Sequence, residues 1–327
     1  MERLIVFSNY SLPPTPGYLS FFNVLLSNDE IEFVDNNNPK KATFSVSFNH
    51  VSKDLKTIES LGIPLNKRFL VILECESILP EMHNPKILQK YGHIFSPSPF
   101  WATSVSPEII RYPFKLQVNP NKIDLKLRPI NLGLVQRNKF SFHPKEMYTF
   151  RRQVIRNMLK IEKSFSVRGE GWDVSKLEII KRFLRELKNY LKFKKLRQVK
   201  LNQSPIFVGS KEFRQVDDKQ EFLAQVKIAI VIENSLDYVS EKLFDCLRSG
   251  TVPLYIGPDL GDFGIPKTVT LQSAPDLESI ARVVQSVTQE ELEMIALRGK
   301  DFLEKTGQEW DEVAVMKDLA SRINNKL

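Results

Sequence analysis

The sequence predicts an α/β protein of two domains, each a parallel sheet flanked by helices. Three observations carry this. The chain has 327 residues, too many for one ordinary core and suited to two domains of about 150 residues each. Short apolar runs alternate with longer segments of helical period in both halves, the pattern of βαβ units. One run, Ile228–Ile232, is apolar at every position, as a parallel strand buried on both faces requires. The composition, 42% hydrophobic and 26% charged, is that of a soluble globular chain.

In chain order, the expected strands of the first half are Leu4–Ser8, Glu30–Val34, Thr43–Phe48, Phe69–Glu74 and His93–Ser96. A helix over Gly17–Leu26 has an apolar face, and Asn36–Lys41 reads as a turn. The Pro/Ser-rich segment Phe95–Glu108 is a loop; its Phe100 and Trp101 read first as packing residues and second as a sugar platform. The Pro, Asn and charges of Val118–Asn131 mark a boundary, giving domains 1–128 and 129–327. The second half offers strands at Leu132–Gln136 and Phe165–Gly169. Helices are expected over His143–Lys163 and Val174–Phe193. Lys211–Gln225 leads into the Ile228–Ile232 strand, and the tail from Leu277 is helical. Such domains bind ligands at the carboxyl ends of their strands, facing a cleft.

Several classes are excluded. No apolar stretch approaches the roughly 20 residues of a membrane-spanning helix. The run Leu4–Phe7 is too short for a secretory signal, so the expected location is cytoplasmic. Cys75 and Cys246 read as buried free thiols. His50, His83, His93 and His143 have no metal-ligand spacing. The net charge of +8 points to an anionic partner. Nucleic acid is disfavoured: no recognition motif occurs, and the aromatics are not interleaved with cations. The basic run Lys192–Lys200 reads as a solvated segment, with contact to anionic lipid at the inner face of a membrane as the alternative.

The most informative stretch is "KIAIVIENSLDYVSEKLFDCLRSGTVPLYIG", Lys227–Gly257. Ser240 is placed as an N-cap. Leu243, Phe244 and Leu247 form an apolar helix face, and Gly250 ends the helix. The residues Glu233–Lys242 therefore join the carboxyl end of a central strand to a helix amino end, an anion site. A lysine is unfavourable in a first helical turn by about 0.3–1 kcal/mol. A bound phosphate would reverse that penalty at Lys242; a nearby carboxylate partner would also explain it.

This stretch resembles the donor-binding signature of the α-1,3/1,4-fucosyltransferase family, with Ser240 standing where the family has Thr. The segments Asn138–Asp173 and Leu70–Asn84 are similar to two further parts of that family. The resemblance implies a GT-B protein, two Rossmann-like domains facing a cleft. It implies an inverting transfer of fucose from GDP-fucose to a hydroxyl of an oligosaccharide or lipid-linked glycan, in α-1,3/1,4 linkage, without a metal. Lys242 and either Arg151 or Arg152 would hold the diphosphate. Glu241 would hold the ribose, and Asn234 and Tyr238 would line the nucleotide site. The general base would be Glu76, with Glu74 as the alternative. These roles suit the chemistry. An inverting transfer needs a carboxylate for the acceptor's proton and cations around the departing diphosphate. No Asp-x-Asp motif occurs, and "VDDK" (Val216–Lys219) reads as a solvated helical segment.

Overall fold

The computed structural model describes residues 4–8, 16–27, 31–34, 42–49, 51–101, 106–114, 124–162, 164–192 and 218–327. The expected turn at 36–41, the basic run from 193 onward and residues 211–217 lie outside them. The chain forms two compact units, residues 1–116 with 306–327 and residues 117–305.

The first unit runs β1 (Leu4–Ser8), α1 (Pro16–Leu26), β2 (Ile31–Val34), β3 (Phe44–Phe48), α2 (Ser52–Ser60), β4 (Arg68–Val71), α3 (Pro85–Leu88), β5 (His93–Ser96) and β6 (Glu108–Ile109). Its sheet has the order β2-β1-β3-β4-β5-β6, with every pair parallel. Strand β4 is shorter than the sequence implied: it stops at Val71, and Glu74 lies beyond it. The side chain of Asn49 draws the chain off there, its Oδ1 accepting from the Leu73 N–H at 2.8 Å.

The second unit runs β7 (Ile130–Val135), α4 (Tyr148–Ile161), β8 (Ser166–Arg168), α5 (Lys176–Lys192), α6 (Lys219–Leu223), β9 (Val226–Ile232), α7 (Glu241–Arg248), β10 (Val252–Ile256), β11 (Leu271–Gln272), α8 (Leu277–Ser286) and α9 (Gln289–Thr306). The described strands form a parallel sheet in the order β11-β10-β9-β7-β8. Residues Ile228–Ile232 are all buried, as their unbroken apolar run requires. Helix α4 begins at Tyr148, later than the periodicity suggests, because Lys145, Glu146 and Met147 are tied to the loop that follows β9 instead. Asp218 is the N-cap of α6, accepting from the Gln220 and Glu221 N–H groups. Lys219 is not a purely solvated group: its Nζ pairs with Asp245 at 2.6 Å.

The last helix, α10 (Glu312–Asn324), corrects the expected domain limits. A boundary at 128 would place everything after it in one domain. The chain instead changes unit between 116 and 117, and it returns to the first unit at Thr306. The reason is the apolar face of α10. Met316, Leu319, Ala320 and Ile323 share a core cluster with Phe21 and Leu25 of α1, each large side chain contributing about 1.5–3 kcal/mol on full burial. Asp311 caps the helix by accepting from the Val313 N–H at 3.0 Å. Lys67 Nζ secures its far end on the Leu327 carbonyl at 2.6 Å.

Arg128, at the expected boundary, is a strut of the second unit. Its Nη1 donates to Leu223 O (3.2 Å), Val226 O (2.7 Å) and Thr251 Oγ1 (2.9 Å), and its Nη2 to Ser249 O (2.7 Å). It thereby ties the start of β9 to the turn before β10. Partial burial lowers its pKa to about 10. Arg128→Met takes this donor from Val226 O and Ser249 O, while Leu223 O keeps the Thr251 hydroxyl at 2.6 Å. The expected loss is about 2–3 kcal/mol, read as a fall of roughly 5–10 °C in the melting temperature. Among the described residues, no helix is long and apolar enough to cross a membrane.

Candidate functional site

In the described sheet of the second unit, β8 lies on one side of β7 and β9 on the other. This is the topological switch point where open parallel sheets bind ligands. Two loops leave the carboxyl ends there. Residues 136–147 lead from β7 to α4, and residues 233–240 lead from β9 to α7.

The two loops are stitched together. The Met147 N–H donates to Asn234 O at 3.1 Å, and Glu146 and Ser235 form an isolated antiparallel bridge. Lys145 Nζ pairs with Asp237 Oδ2 at 2.8 Å, and Ser235 Oγ donates to Asp237 Oδ1 at 2.5 Å. The amino ends of α4 and α7 are thus held at one edge of the sheet. Each brings a positive helix end, with the Thr149 N–H of α4 donating to Glu146 Oε2 at 2.9 Å.

Lys242 lies in the first turn of α7 and is nearly buried, its side chain 11% exposed. Its Nζ donates to Glu233 Oε2 at 3.1 Å and to Ser240 Oγ at 2.7 Å. Glu233 is fully buried. It also accepts from the Ser240 N–H at 3.0 Å and from Ser240 Oγ at 2.6 Å. One carboxylate therefore closes the β9–α7 turn and aims the ammonium. Ser240 caps the helix as expected, accepting from the Lys242 N–H, and Gly250 follows the helix in the left-handed conformation (φ 63°). Glu233 has no role among the residues expected from the sequence; its signal there is a lone charge ending an apolar strand.

Glycine is required at 257 by close approach. A Cβ there would lie 2.6 Å from Tyr255 Cζ and 2.8 Å from Glu233 Cγ, so a larger residue would displace the carboxylate that holds Lys242.

The two candidate arginines separate clearly. Both are buried on α4. Arg151 Nη2 donates to Ile232 O at 3.0 Å and to Asn234 Oδ1 at 3.3 Å, while Nη1 reaches Arg137 O at 3.1 Å. It therefore grips the residues on either side of Glu233. Arg152 turns to Lys139 O (2.5 Å) and Thr149 Oγ1 (3.0 Å) and lies over the Phe140 ring. Burial lowers the pKa of Arg151, with the electrostatic pull of Tyr148, Glu233, Glu146 and Glu241 opposing it. Asn234 is half-buried, Tyr238 is buried and Glu241 is exposed. Desolvation acts to raise the pKa of Glu241, but Lys242 and Lys219 outweigh it and hold the carboxyl low. Gln136, just past β7, is also buried, and neither end of its carboxamide has a hydrogen-bond partner. It lines a small cavity with Lys242 and Asp245.

His143, in the first of these loops, is buried. Its Nδ1 accepts from the Lys145 N–H at 3.2 Å, so that nitrogen carries no proton. Burial, helped by the charge of Lys145, pushes its pKa down to about 4. Between pH 6.5 and 4 the unfolded chain holds a proton that the folded chain does not, so stability rises with pH across that window. Acidification from pH 7 to 5 is expected to remove about 2 kcal/mol through this group. Urea denaturation at both pH values should show that extra loss in the wild type and not in His143→Asn.

The remaining two candidates belong to the first unit. Glu74 and Glu76 are half-buried in the loop after β4. The N–H groups of Ile78 and Leu79 both bond Cys75 O at 3.0 Å, so Glu76 occupies the first corner of a tight turn. Glu74 O is bonded to His83 Nε2 at 3.0 Å. Trp101 is buried edge-on against the His83 ring, and Phe100 is exposed. Packing accounts for Trp101, so of that pair Phe100 alone offers a ring face to solvent.

Cys75 and Cys246 are buried free thiols. Among the described residues, no group of three or more His, Cys, Asp or Glu side chains is placed to hold a metal ion.

No family model and no curated protein matches the chain. Solved structures do, over nearly its whole length. HepE from Anabaena in complex with UDP and glucose aligns at 11% identity and a TM-score of 0.60, covering 99% of this chain and 100% of that one. An α1,3-fucosyltransferase with GDP aligns at 15% identity and a TM-score of 0.55, covering 99% and 90%. An α-glucosyltransferase (AGT) in complex with UDP aligns at 12% identity and a TM-score of 0.52, covering 98% and 99%. These likenesses establish the fold: the architecture is GT-B, with two Rossmann-like domains.

Proposed function

We propose that the protein is a glycosyltransferase that takes its sugar from a nucleotide diphosphate donor, and that this donor is GDP-fucose. The observation that carries the reading is the β9–α7 turn. Two helix amino ends, an aimed ammonium and a buried guanidinium gather at the carboxyl end of one strand, within a sequence that resembles the fucosyltransferase donor signature.

In this reading Lys242 faces the diphosphate and stabilises the charge that develops as it leaves. Arg151 does the same or braces Asn234 against it; its contacts beside Glu233 favour it over Arg152. Glu241, exposed at the helix start, takes the ribose hydroxyls. Asn234 and Tyr238 line the nucleotide side of the turn, Tyr238 from within. Glu76 removes the proton of the acceptor hydroxyl, and the sugar inverts. The acceptor is an oligosaccharide or lipid-linked glycan, and the linkage is α-1,3 or α-1,4 to a GlcNAc or Glc unit. Transfer needs no metal, so activity should survive EDTA.

A second reading, transfer from a UDP-sugar, draws support from the UDP bound to HepE and to the α-glucosyltransferase. One assay separates the two: purified protein, a panel of glycan acceptors, and GDP-fucose or UDP-glucose as donor. The proposal expects product from GDP-fucose alone, with the anomeric configuration inverted. Product from UDP-glucose alone would replace it with the second reading.

A further inference from the structure

Helix α5 has a face that the donor site does not use. Leu177, Ile180 and Leu184 are 62%, 45% and 54% exposed and fall at i, i+3 and i+7, so they line up along one side of the helix. Lys181, Arg185 and Lys188 are exposed beside them, each one or two helical positions around the same arc. The opposite side packs inward. Ile179 is buried, and Phe183 meets the rings of Phe140 and Phe142 edge-on. Glu186 lies on the far side of the helix from the apolar stripe, and Glu178, next to Arg185 around the helix, is bonded to Arg182 at 3.2 Å. The exposed arc is therefore apolar with a net positive charge: the one carboxylate at its border, Glu178, is neutralised by Arg182.

We propose that this face of α5 docks on an anionic lipid surface. Charge complementarity selects the occupant. Lysine and arginine side chains beside a leucine stripe meet lipid phosphates with their tips while the stripe enters the headgroup boundary. A nucleic acid would use the cations and leave three large apolar side chains in water, and a neutral apolar partner would strand the cations. The sequence after α5, "KFKKLRQVK" (Lys192–Lys200), continues the same charge. The proposal does not depend on the identity of the donor. It brings the protein to the surface where lipid-linked acceptors lie.

The test is co-sedimentation of the full chain with vesicles of phosphatidylcholine and phosphatidylglycerol in equal parts, and with phosphatidylcholine alone. The wild type should pellet with the mixed vesicles at low salt and stay in solution with the neutral ones. Both L177Q/I180Q/L184Q and K181Q/R185Q/K188Q should lose on the order of tenfold or more in binding, with unchanged melting temperature and unchanged GDP binding. In a separate variant, Ile180→Trp, the indole should be quenched by brominated lipid. Failure of the wild type to bind mixed vesicles overturns the proposal. So does wild-type binding by both α5 triple variants, with loss only when the cations of 192–200 are neutralised. An unquenched Ile180→Trp, or binding to single-stranded RNA at lower concentration than to the mixed vesicles, overturns it as well.

Discussion

Lys242→Met is expected to lower kcat/KM by about 10²–10³, the loss that follows removal of one group aimed at developing charge. The side chain is nearly buried and its ammonium is bonded to Glu233 and Ser240, so the effect is local to the β9–α7 turn. The variant has a second consequence. Glu233 is fully buried, and without Lys242 its charge keeps only the Ser240 donors. Breaking a buried pair from one side costs about 3–5 kcal/mol. The double variant Glu233→Gln with Lys242→Met removes that stranded charge. It should recover most of the stability and none of the activity. Recovery of both would mean that Lys242 serves the fold and not the donor.

Glu76→Gln is expected to lower kcat by about 10²–10⁴, the usual contribution of a general base, while GDP binds as before. Glu74→Gln should change kcat little. The two were hard to separate in sequence because an unbroken strand would set them on one face. The strand instead ends at Val71, and a turn closes between Cys75 and Leu79. Glu76 is presented by that turn, whereas the backbone of Glu74 is tied down by His83. The check is a pair of pH–rate profiles. The acidic limb of kcat/KM should persist in Glu74→Gln and vanish in Glu76→Gln; the reverse pattern would make Glu74 the base.

Local signals made much of this legible. The apolar run Ile228–Ile232, the N-cap Ser240 and the terminating Gly250 are all short-range features, and the turn they define is where the sequence put it. Strands β1 and β5 match their expected limits for the same reason. What stayed hidden depends on residues distant in the chain. The sequence offered either a phosphate or a carboxylate to explain Lys242. The carboxylate is there, nine residues upstream, because a folded turn brings the end of β9 back to the start of α7. Arg151 and Arg152 are adjacent and chemically identical. Only the helix rotation sends one to Asn234 and the other to Lys139. The hydrophobic period of α10 predicts a helix but does not name its partner, so its return to α1 left no local trace. Arg128 looked like a linker charge because its four acceptors lie about a hundred residues away.

If the β9–α7 turn is a GDP site, nucleotide binding must depend on Lys242. Calorimetric titration of GDP and of UDP into the wild type and into the Glu233→Gln, Lys242→Met double variant, in EDTA, tests it most directly. The wild type should bind GDP and not UDP, and the double variant, folded by its melting temperature, should bind neither. Binding of UDP alone, or undiminished GDP binding by the double variant, would contradict it.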